Sequence, residues 1–201
     1  MRGLRVCRPL FHKELEQQLS QRDGRKVRLW IVHRLDREVE GLLLVAKSEL
    51  IKESLATAWP TVTKRYLALV EGKAPQPQGT VSSWLKDSAH LTVYSHATEV
   101  PGSKWAQTHY RYLKPVGHYH LLEVELVTGR KNQIRVHLAD LGCPIVGDRK
   151  YGADARVKRQ IRLVAAYLAF DHPKTGQHLE FSHEPSDSFW RPSEQHDERY
   201  G

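Results

Sequence analysis

Short apolar runs alternate with charged segments along the chain, and the first clear run covers residues 41–47 (GLLLVAK). A continuous apolar run of this length between charged flanks predicts a buried strand. The next segment, residues 48–59, carries its apolar residues on one helical face. Ser48 is placed to cap that helix and Pro60 to end it. The pattern therefore predicts a strand followed by a helix.

Strand patterns dominate the rest of the chain. Further strands are predicted over residues 66–70, 105–113, 119–127, 163–171 and 178–182. Within the strand predicted over 119–127, Leu122, Val124 and Leu126 alternate with Glu123 and Glu125. This alternation is typical of a half-exposed sheet. Helical spacing returns over residues 132–141, closed by Gly142 and Pro144. Strands outnumber helices and are joined by short links, which predicts an α+β fold with a mixed, largely antiparallel sheet and flanking helices.

Length and charge distribution predict the domain organisation. The 201 residues suit one domain of ordinary size, and no internal repeat is present. Residues 1–37 contain ten Lys and Arg against four acids, whereas residues 183–201 contain five acids and two arginines. We expect a divergent basic leader over 1–27 that is loosely held, a catalytic domain over 28–190 and a polar tail over 191–201.

Composition narrows the function class. The net charge of +8 and the pI near 9.5 favour an anionic partner, of which nucleic acid is the commonest. No apolar run approaches the roughly 18–20 residues of a membrane span, and the amino terminus lacks the apolar core of a signal peptide. Cys7 and Cys143 are too far apart for a cysteine-rich zinc site or a disulfide framework, so we expect a cytoplasmic protein.

Two segments carry candidate chemistry beside predicted strands. In HRLDR, Arg34 and Arg37 flank Asp36, and these cations favour the ionised carboxylate. A surface ion-pair cluster is the alternative interpretation. Tyr66 follows Lys64 and Arg65 at the start of a strand, where a tyrosine is more often a packing residue than a catalytic one.

A third segment, residues 128–137 (TGRKNQIRVH), lies where a strand is followed by a helix. It contains three cations, three further polar hydrogen-bonding side chains and no acid. Helix amino termini and arginine side chains both suit phosphate groups. The alternative is an ordinary solvated helix start.

Four ordered segments together resemble the motifs of the RluA-type pseudouridine synthases, over about residues 31–189. They are HRLDREVEGLLLVAKS, KRYLALVEG, VTGRKNQIRVHLADLGCPIVGDRKYG and LAFDHPKTGQHLEFS. The related RsuA group shares the RLD element, but the KRY step and QIRVHL favour the RluA group. The resemblance implies the pseudouridine synthase catalytic fold and an RNA substrate.

The resemblance also implies a role for each matched position. Asp36 matches the family's essential aspartate, Tyr66 the tyrosine that stacks on the target base, and Arg135 the arginine that pairs with the aspartate. Arg34 matches the arginine that helps hold RNA with the target nucleotide flipped out. The remaining RNA-binding candidates are Arg37, Arg130, Lys131, Asn132 and Gln133.

The implied reaction cleaves the uridine N1–C1′ bond, rotates the uracil and rejoins it through C5, in structured rRNA or tRNA. It needs no metal and no cofactor, and we expect a monomer. Asp36 either attacks C1′ to form a covalent adduct or removes the C2′ proton to give a glycal. The sequence leaves both routes open.

The chain also departs from the family pattern. Thr-Ser-Gly commonly follows the RLD motif at a short distance, but here Arg37 is followed by Glu38-Val39-Glu40-Gly41. Asn132 and Cys143 stand where histidines are usual, and residues 1–30 contain no N-K-P-x-G-like motif. These departures leave two alternatives to an active synthase: a degenerate RNA-binding or RNA-chaperone relative, and an amino-terminally truncated synthase.

Overall fold

The computed structural model describes residues 8–73, 75–88, 92–154 and 160–191. The chain divides into two compact units. The first unit contains the described residues within Met1–Arg34, together with Leu43–Trp59 and His172–Gln177. The second contains Leu35–Leu42 and the described residues within Pro60–Asp171 and His178–Gly201.

Helices and strands occur in both units. In chain order they are α1 (Arg8–Asp23), β1 (Trp30–Ile31), β2 (Glu40–Gly41), β3 (Val45–Ala46), α2 (Glu49–Ala58), β4 (Thr63–Val70), β5 (Gln78–Asp87), β6 (Val93–His96), β7 (Lys104–Val116), β8 (Tyr119–Leu126), α3 (Gln133–Asp140), β9 (Leu163–Asp171), β10 (His178–Ser182) and α4 (Asp187–Trp190). None of the helices in the described part of the chain is long and apolar enough to cross a membrane.

Helix α1 is bonded to the segment that follows it in the first unit. His12 Nε2 lies 2.7 Å from the Leu29 carbonyl oxygen, and the Leu29 amide donates to Glu16 Oε1 at 2.8 Å. The Val27 amide donates to Ser20 Oγ at 2.8 Å. The helix falls within the segment predicted as a basic leader, but its apolar residues do not line one face, so the sequence pattern did not predict it. The leader boundary at residue 27 stays a prediction.

Helix α2 confirms the predicted capping. Ser48 is its N-cap, and the Ser48 hydroxyl oxygen accepts a hydrogen bond from the Ile51 amide at 3.3 Å. The helix ends at Ala58, and a 3-10 turn that includes Pro60 follows it. The cap supplies a partner for an amide that the first helical turn leaves unbonded.

The second unit is built on one sheet with the strand order β10-β9-β4-β8-β7-β5-β6. All neighbours on this path are antiparallel, while β2 runs parallel to β9. The α+β class and the mixed, largely antiparallel sheet are therefore confirmed. Strands β5 and β6 were not predicted, because β5 contains few apolar residues, and its eight-residue pairing with β7 holds it in the sheet.

The single buried strand predicted over residues 41–47 is wrong. The apolar run is divided between the two units, with β2 pairing to β9 and β3 pairing to β1. The run is interrupted because its two ends satisfy their backbone hydrogen bonds with different strands. Of the residues in this run only Ala46 is buried. An apolar run favours a buried strand, but it does not show which partner the segment pairs with.

Apolar residues fill both faces of the sheet in the second unit. One face packs on α3 through a cluster that includes Ile134 and Leu138. The other face carries a cluster that includes Phe189 of α4. Helix α3 and the loops beside it therefore have a rigid support on the sheet.

Candidate active site

Asp36 begins a turn, and the residues that follow it in the chain are bonded to the second unit and packed on its core. The Val39 amide donates to the Asp36 carbonyl oxygen at 3.0 Å, which closes the turn. Val39 packs on the core cluster beneath α3, and the Leu42 amide donates to the Ala165 carbonyl oxygen at 3.0 Å. The Asp36 side chain is 23% exposed, so its carboxylate remains accessible from solvent.

Tyr66 lies on β4, at a break in the pairing between β4 and β9. The register shifts between Arg65 and Tyr66, and such bulges redirect a side chain. Ala165 of β9 is the register partner of both Tyr66 and Gly41, so β9 fixes the positions of the strand that follows Asp36 and the strand that carries Tyr66. Burial, with a smaller contribution from the negative charge of Asp36, raises the pKa of Tyr66 to about 12.

Arg135 lies on α3 and makes its closest contacts with a residue to which the sequence assigned no role. Arg135 Nε donates to Asp148 Oδ2 at 2.6 Å, and Arg135 Nη2 donates to Asp148 Oδ1 at 2.8 Å. The Arg135 and Asp148 side chains are 6% and 1% exposed. This is a buried two-pronged ion pair, the strongest arrangement that an arginine and a carboxylate form.

The third nitrogen of Arg135 faces two further carboxylates. Arg135 Nη1 lies 3.8 Å from Asp36 Oδ2 and 3.8 Å from Glu38 Oε2. Burial lowers the pKa of Arg135, but the hydrogen bonds and charge of Asp148, with Asp36 and Glu38 adding to them, leave this pKa raised. The guanidinium is therefore a permanent positive charge at the side of Asp36.

Tyr151 and Asn132 complete the surroundings of Arg135. The guanidinium carbon lies 5.1 Å from the centroid of the Tyr151 ring. The Tyr151 hydroxyl oxygen accepts hydrogen bonds from the Val93 amide at 3.0 Å and from Asn132 Nδ2 at 2.9 Å. Asn132 adopts a left-handed backbone (φ 53°), and its Oδ1 accepts from Arg135 Nη1 at 3.4 Å. Asparagine tolerates this conformation better than most residues.

Gln133 is committed to internal hydrogen bonds. Its Oε1 accepts from Thr128 Oγ1 and the Arg130 amide, and its Nε2 donates to the Gln107 carbonyl oxygen and Thr108 Oγ1. These four bonds use the full hydrogen-bonding capacity of the amide. Asn132 is buried as well. A direct RNA contact by either side chain would have to replace these internal bonds.

The remaining predicted RNA-binding residues are cations at or near the surface. Arg130 is exposed and donates from Nε to the Trp105 carbonyl oxygen at 2.9 Å, while Lys131 pairs with Asp87 at 3.0 Å. Arg37 is exposed beside Asp36 in the second unit, and Arg34 is exposed in the first unit.

A buried polar chain connects α3 to the sheet behind the site. His137 is fully buried; its Nε2 lies 3.0 Å from Ser83 Oγ, and its Nδ1 lies 2.8 Å from Thr108 Oγ1. Burial lowers the pKa of His137 to about 4, against a small opposing effect of Asp140. The neutral imidazole therefore helps to hold α3, and with it Arg135, against the sheet.

We expect acid to weaken the fold through His137. Because its folded-state pKa lies below the unfolded value near 6.5, the unfolded chain takes up the proton first as the pH falls. This group alone lowers the free energy of unfolding by up to about 3 kcal/mol between pH 6.5 and pH 4. Urea unfolding of the wild type and of His137→Gln at pH 7, 6 and 5 tests this, and equal pH slopes in the two proteins contradict it.

Asp148, Tyr151 and Glu38 are the site residues that the sequence analysis did not identify. The first two stand in the GD-x-x-YG end of a family motif, which was the available signal. Asp148 is 13 positions from Arg135 in the chain, and only the turn after α3 brings the two together. Glu38 could have been noticed as a second acid beside the RLD motif. Among the described residues no group of three or more metal-ligating side chains is present.

Comparison with known proteins identifies the family of the chain. The sequence model described as RNA pseudouridylate synthase matches residues 6–140. The chain belongs to the RNA pseudouridylate synthase family. The chain is 34% identical over 172 residues to the ribosomal large subunit pseudouridine synthase D of Zymomonas mobilis, and this alignment covers 80% of the chain and 54% of that protein. The expected RluA-type relationship is confirmed.

Two further relatives within the family are more similar in sequence. An uncharacterized RNA pseudouridine synthase of Chloroflexus aurantiacus is 42% identical over 168 residues, covering 79% of this chain and 51% of that protein. The Bacillus subtilis protein YlyB, also named an uncharacterized RNA pseudouridine synthase, is 39% identical over 158 residues, covering 75% and 50%. The chain thus spans about half the length of the curated relatives it matches.

Solved structures of the family share the fold. Human RNA pseudouridylate synthase domain containing 1 superposes with a TM-score of 0.70 at 27% identity, covering 90% of this chain and 79% of that chain. Human RNA pseudouridylate synthase domain containing 4 gives a TM-score of 0.74 at 21% identity, covering 93% and 82%. The predicted pseudouridine synthase fold is confirmed.

Proposed function

We propose that this protein is an RNA pseudouridine synthase that isomerises uridine to pseudouridine in structured rRNA or tRNA, with Asp36 as the catalytic residue. The observation that carries the proposal is the contact between Asp36 and Arg135. Their side chains lie 99 positions apart in the chain, yet Asp36 Oδ2 and Arg135 Nη1 are 3.8 Å apart in the second unit. Asp36 also acts electrostatically on the Tyr66 hydroxyl.

Asp36 acts in its ionised form in either of two routes. In one, its carboxylate attacks C1′, and the electron pair of the N1–C1′ bond leaves with the uracil. In the other, it removes the C2′ proton, so that a C1′=C2′ double bond forms as the uracil departs. In both routes the uracil rotates and C5 then bonds to C1′. In the first route the bond between Asp36 and C1′ breaks at this step, and in the second Asp36 returns the proton to C2′. The proton that C5 loses is balanced by the proton that N1 gains. Either role requires a free carboxylate beside a fixed positive charge, which Arg135 supplies.

Tyr66 is proposed to stack on the flipped uracil. An aromatic ring is a favourable platform for an unstacked base. Since the pKa of Tyr66 is raised to about 12, its hydroxyl stays protonated near neutral pH. The tyrosine therefore adds no second negative charge next to Asp36.

RNA binding is assigned to the exposed cations. Arg34, Arg37 and Arg130 contact the phosphate backbone, and Lys131 joins them when RNA competes with Asp87 for its ammonium. Asn132 and Gln133 act indirectly, by fixing the loop that carries Arg130 and Lys131. We further propose that the protein works in the cytoplasm as a monomer.

The proposal is tested with RNA from cells that lack the gene, in which the target uridine is unmodified. Adding the purified full-length protein should raise the pseudouridine content measured by nucleoside mass spectrometry. Sequencing after carbodiimide treatment should place the gain at the same uridine that loses modification in the deletion strain.

RNA binding without any gain in pseudouridine would overturn the proposal. That result would favour an RNA-binding or RNA-chaperone relative instead. A gain only at uridines whose modification does not depend on the gene would also contradict the proposal, because it would reflect non-specific activity.

A further inference from the structure

We infer that Asp148 is a positioning residue for the reaction, which holds the guanidinium of Arg135 at 3.8 Å from Asp36, beyond hydrogen-bond distance. This inference rests on the proposed function, since it assigns a role to a residue behind the proposed catalytic pair. Asp148 and Arg135 are in direct contact. Both oxygens of Asp148 accept from Arg135, at 2.6 and 2.8 Å, in surroundings from which water is excluded.

The backbone around Asp148 is fixed, so its carboxylate is a rigid anchor. The Asp148 amide donates to the Ile145 carbonyl oxygen at 2.9 Å. The Asp148 carbonyl oxygen accepts from the amides of Tyr151 at 3.0 Å and Ala153 at 3.2 Å. Val146 lies two positions before Asp148 and is bonded to the central strand β4, because its amide donates to the Leu69 carbonyl oxygen at 2.9 Å.

Asp148 uses only some of the N–H donors of Arg135, and the others remain for its neighbours in the site. A guanidinium has five N–H groups, one on Nε and two on each terminal nitrogen. Asp148 takes the Nε hydrogen and one on Nη2, and Asn132 accepts from Nη1 at 3.4 Å. Tyr151 covers one face of the group. Nη1 is the nitrogen that is directed at Asp36, and it is 3.8 Å away.

This orientation has a chemical consequence. An arginine that is free to turn pairs with a carboxylate through two parallel hydrogen bonds, and such a pair occupies both carboxylate oxygens. If Arg135 paired with Asp36 in that way, both oxygens of Asp36 would be hydrogen-bonded and would be weaker nucleophiles and bases towards C1′ and the C2′ proton. Asp148 opposes this because it anchors the Nε–Nη2 edge of the guanidinium, so that the nearest nitrogen stays 3.8 Å from Asp36. Asp36 thus has the positive charge of Arg135 nearby without being hydrogen-bonded to it.

The test is Asp148→Asn in the full-length protein. The amide cannot accept on both atoms, so Arg135 is released and turns towards Asp36. We expect kcat for pseudouridine formation to fall roughly 10- to 100-fold, the size of effect that a misplaced group produces, with KM for RNA changed by less than about twofold. The matched control is Asp171→Asn, which removes a carboxylate that is 73% exposed at the end of β9, outside the proposed site.

A crystal structure of Asp148→Asn gives a readout that is independent of activity. It should show Arg135 bonded to Asp36 through two contacts near about 3 Å. The inference would be overturned if Arg135 stayed 3.8 Å from Asp36 in the variant or if the variant had the kcat of the wild type. It would also be overturned if kcat fell only in proportion to the fraction of folded protein that circular dichroism measures. If the wild type makes no pseudouridine, the proposed function fails, and the crystal structure still decides the orientation of Arg135.

Discussion

Replacing Asp36 with asparagine is expected to lower pseudouridine formation by at least about 10³-fold while RNA affinity stays within about threefold of the wild type. Asparagine has nearly the same shape, but it has no negative oxygen that can attack C1′ or take the C2′ proton. Arg135 is not released by the change, because Asp148 holds it at 2.6 and 2.8 Å. The variant should therefore fold normally and bind RNA without modifying it.

Single-turnover assays with mass-spectrometric detection measure the rate, and filter binding measures the affinity. Asp187→Asn is a suitable control, since this exposed carboxylate lies in the first turn of α4. A variant at position 36 that retains more than a tenth of the wild-type rate would show that another group does the chemistry. Equal loss of binding and rate would instead indicate damage to the fold.

Replacing Gly41 with alanine is expected to destabilise the second unit strongly. Gly41 has a φ of +122° in β2, and an added Cβ would lie 2.7 Å from the Ala165 nitrogen, 2.8 Å from its carbonyl carbon and closer still to its oxygen. These are backbone atoms of β9, which is bonded to β4 and β10 and cannot move aside. We expect the free energy of unfolding to fall by roughly 3 kcal/mol or more.

The same change should also impair the site, because β2 follows the turn that carries Asp36 by only a few residues. Urea unfolding monitored by circular dichroism measures the loss of stability, and the pseudouridine assay follows the activity. Gly117→Ala is the matched control: Gly117 also has a positive φ, of +61°, but an added Cβ meets nothing within 4 Å. We expect that variant to lose only about 1–2 kcal/mol. Similar losses in the two variants would contradict the close approach of β2 to β9.

Local patterns predicted several elements correctly because their causes are local. The Ser48 cap and the helix stop at Pro60 depend on neighbouring residues, and α2 follows them. The alternation over residues 122–126 is typical of a strand, and β8 follows it, although Leu121 and Leu122 of β8 are buried on opposite faces of the sheet. In contrast, β5 contains few apolar residues, and its structure comes from pairing with β7 over eight of its 10 residues. Such pairing is a property of two distant segments, so no local pattern contains it.

The sequence likewise predicted some features of the candidate site and not others. Motif resemblance selected Asp36, Tyr66 and Arg135; all three lie in the second unit, where Asp36 and Arg135 are 3.8 Å apart. The polar residue types of segment 128–137 placed Asn132 and Gln133 among the RNA-binding candidates, whereas their side chains are bonded inside the protein. Residue type at a motif position does not reveal whether the side chain is directed outwards or inwards.

The sequence by itself determined the excess of positive charge, through its composition, and the α+β class, through its local patterns. Resemblance to four family motifs, and not composition or spacing, indicated the family and selected the three residues of the proposed chemistry. Only the tertiary structure decided that the apolar run at 41–47 is divided between two units, and that the main partner of Arg135 is Asp148. Both outcomes depend on which distant atoms meet, because a backbone amide or a guanidinium bonds to whichever acceptor the fold brings within about 3 Å.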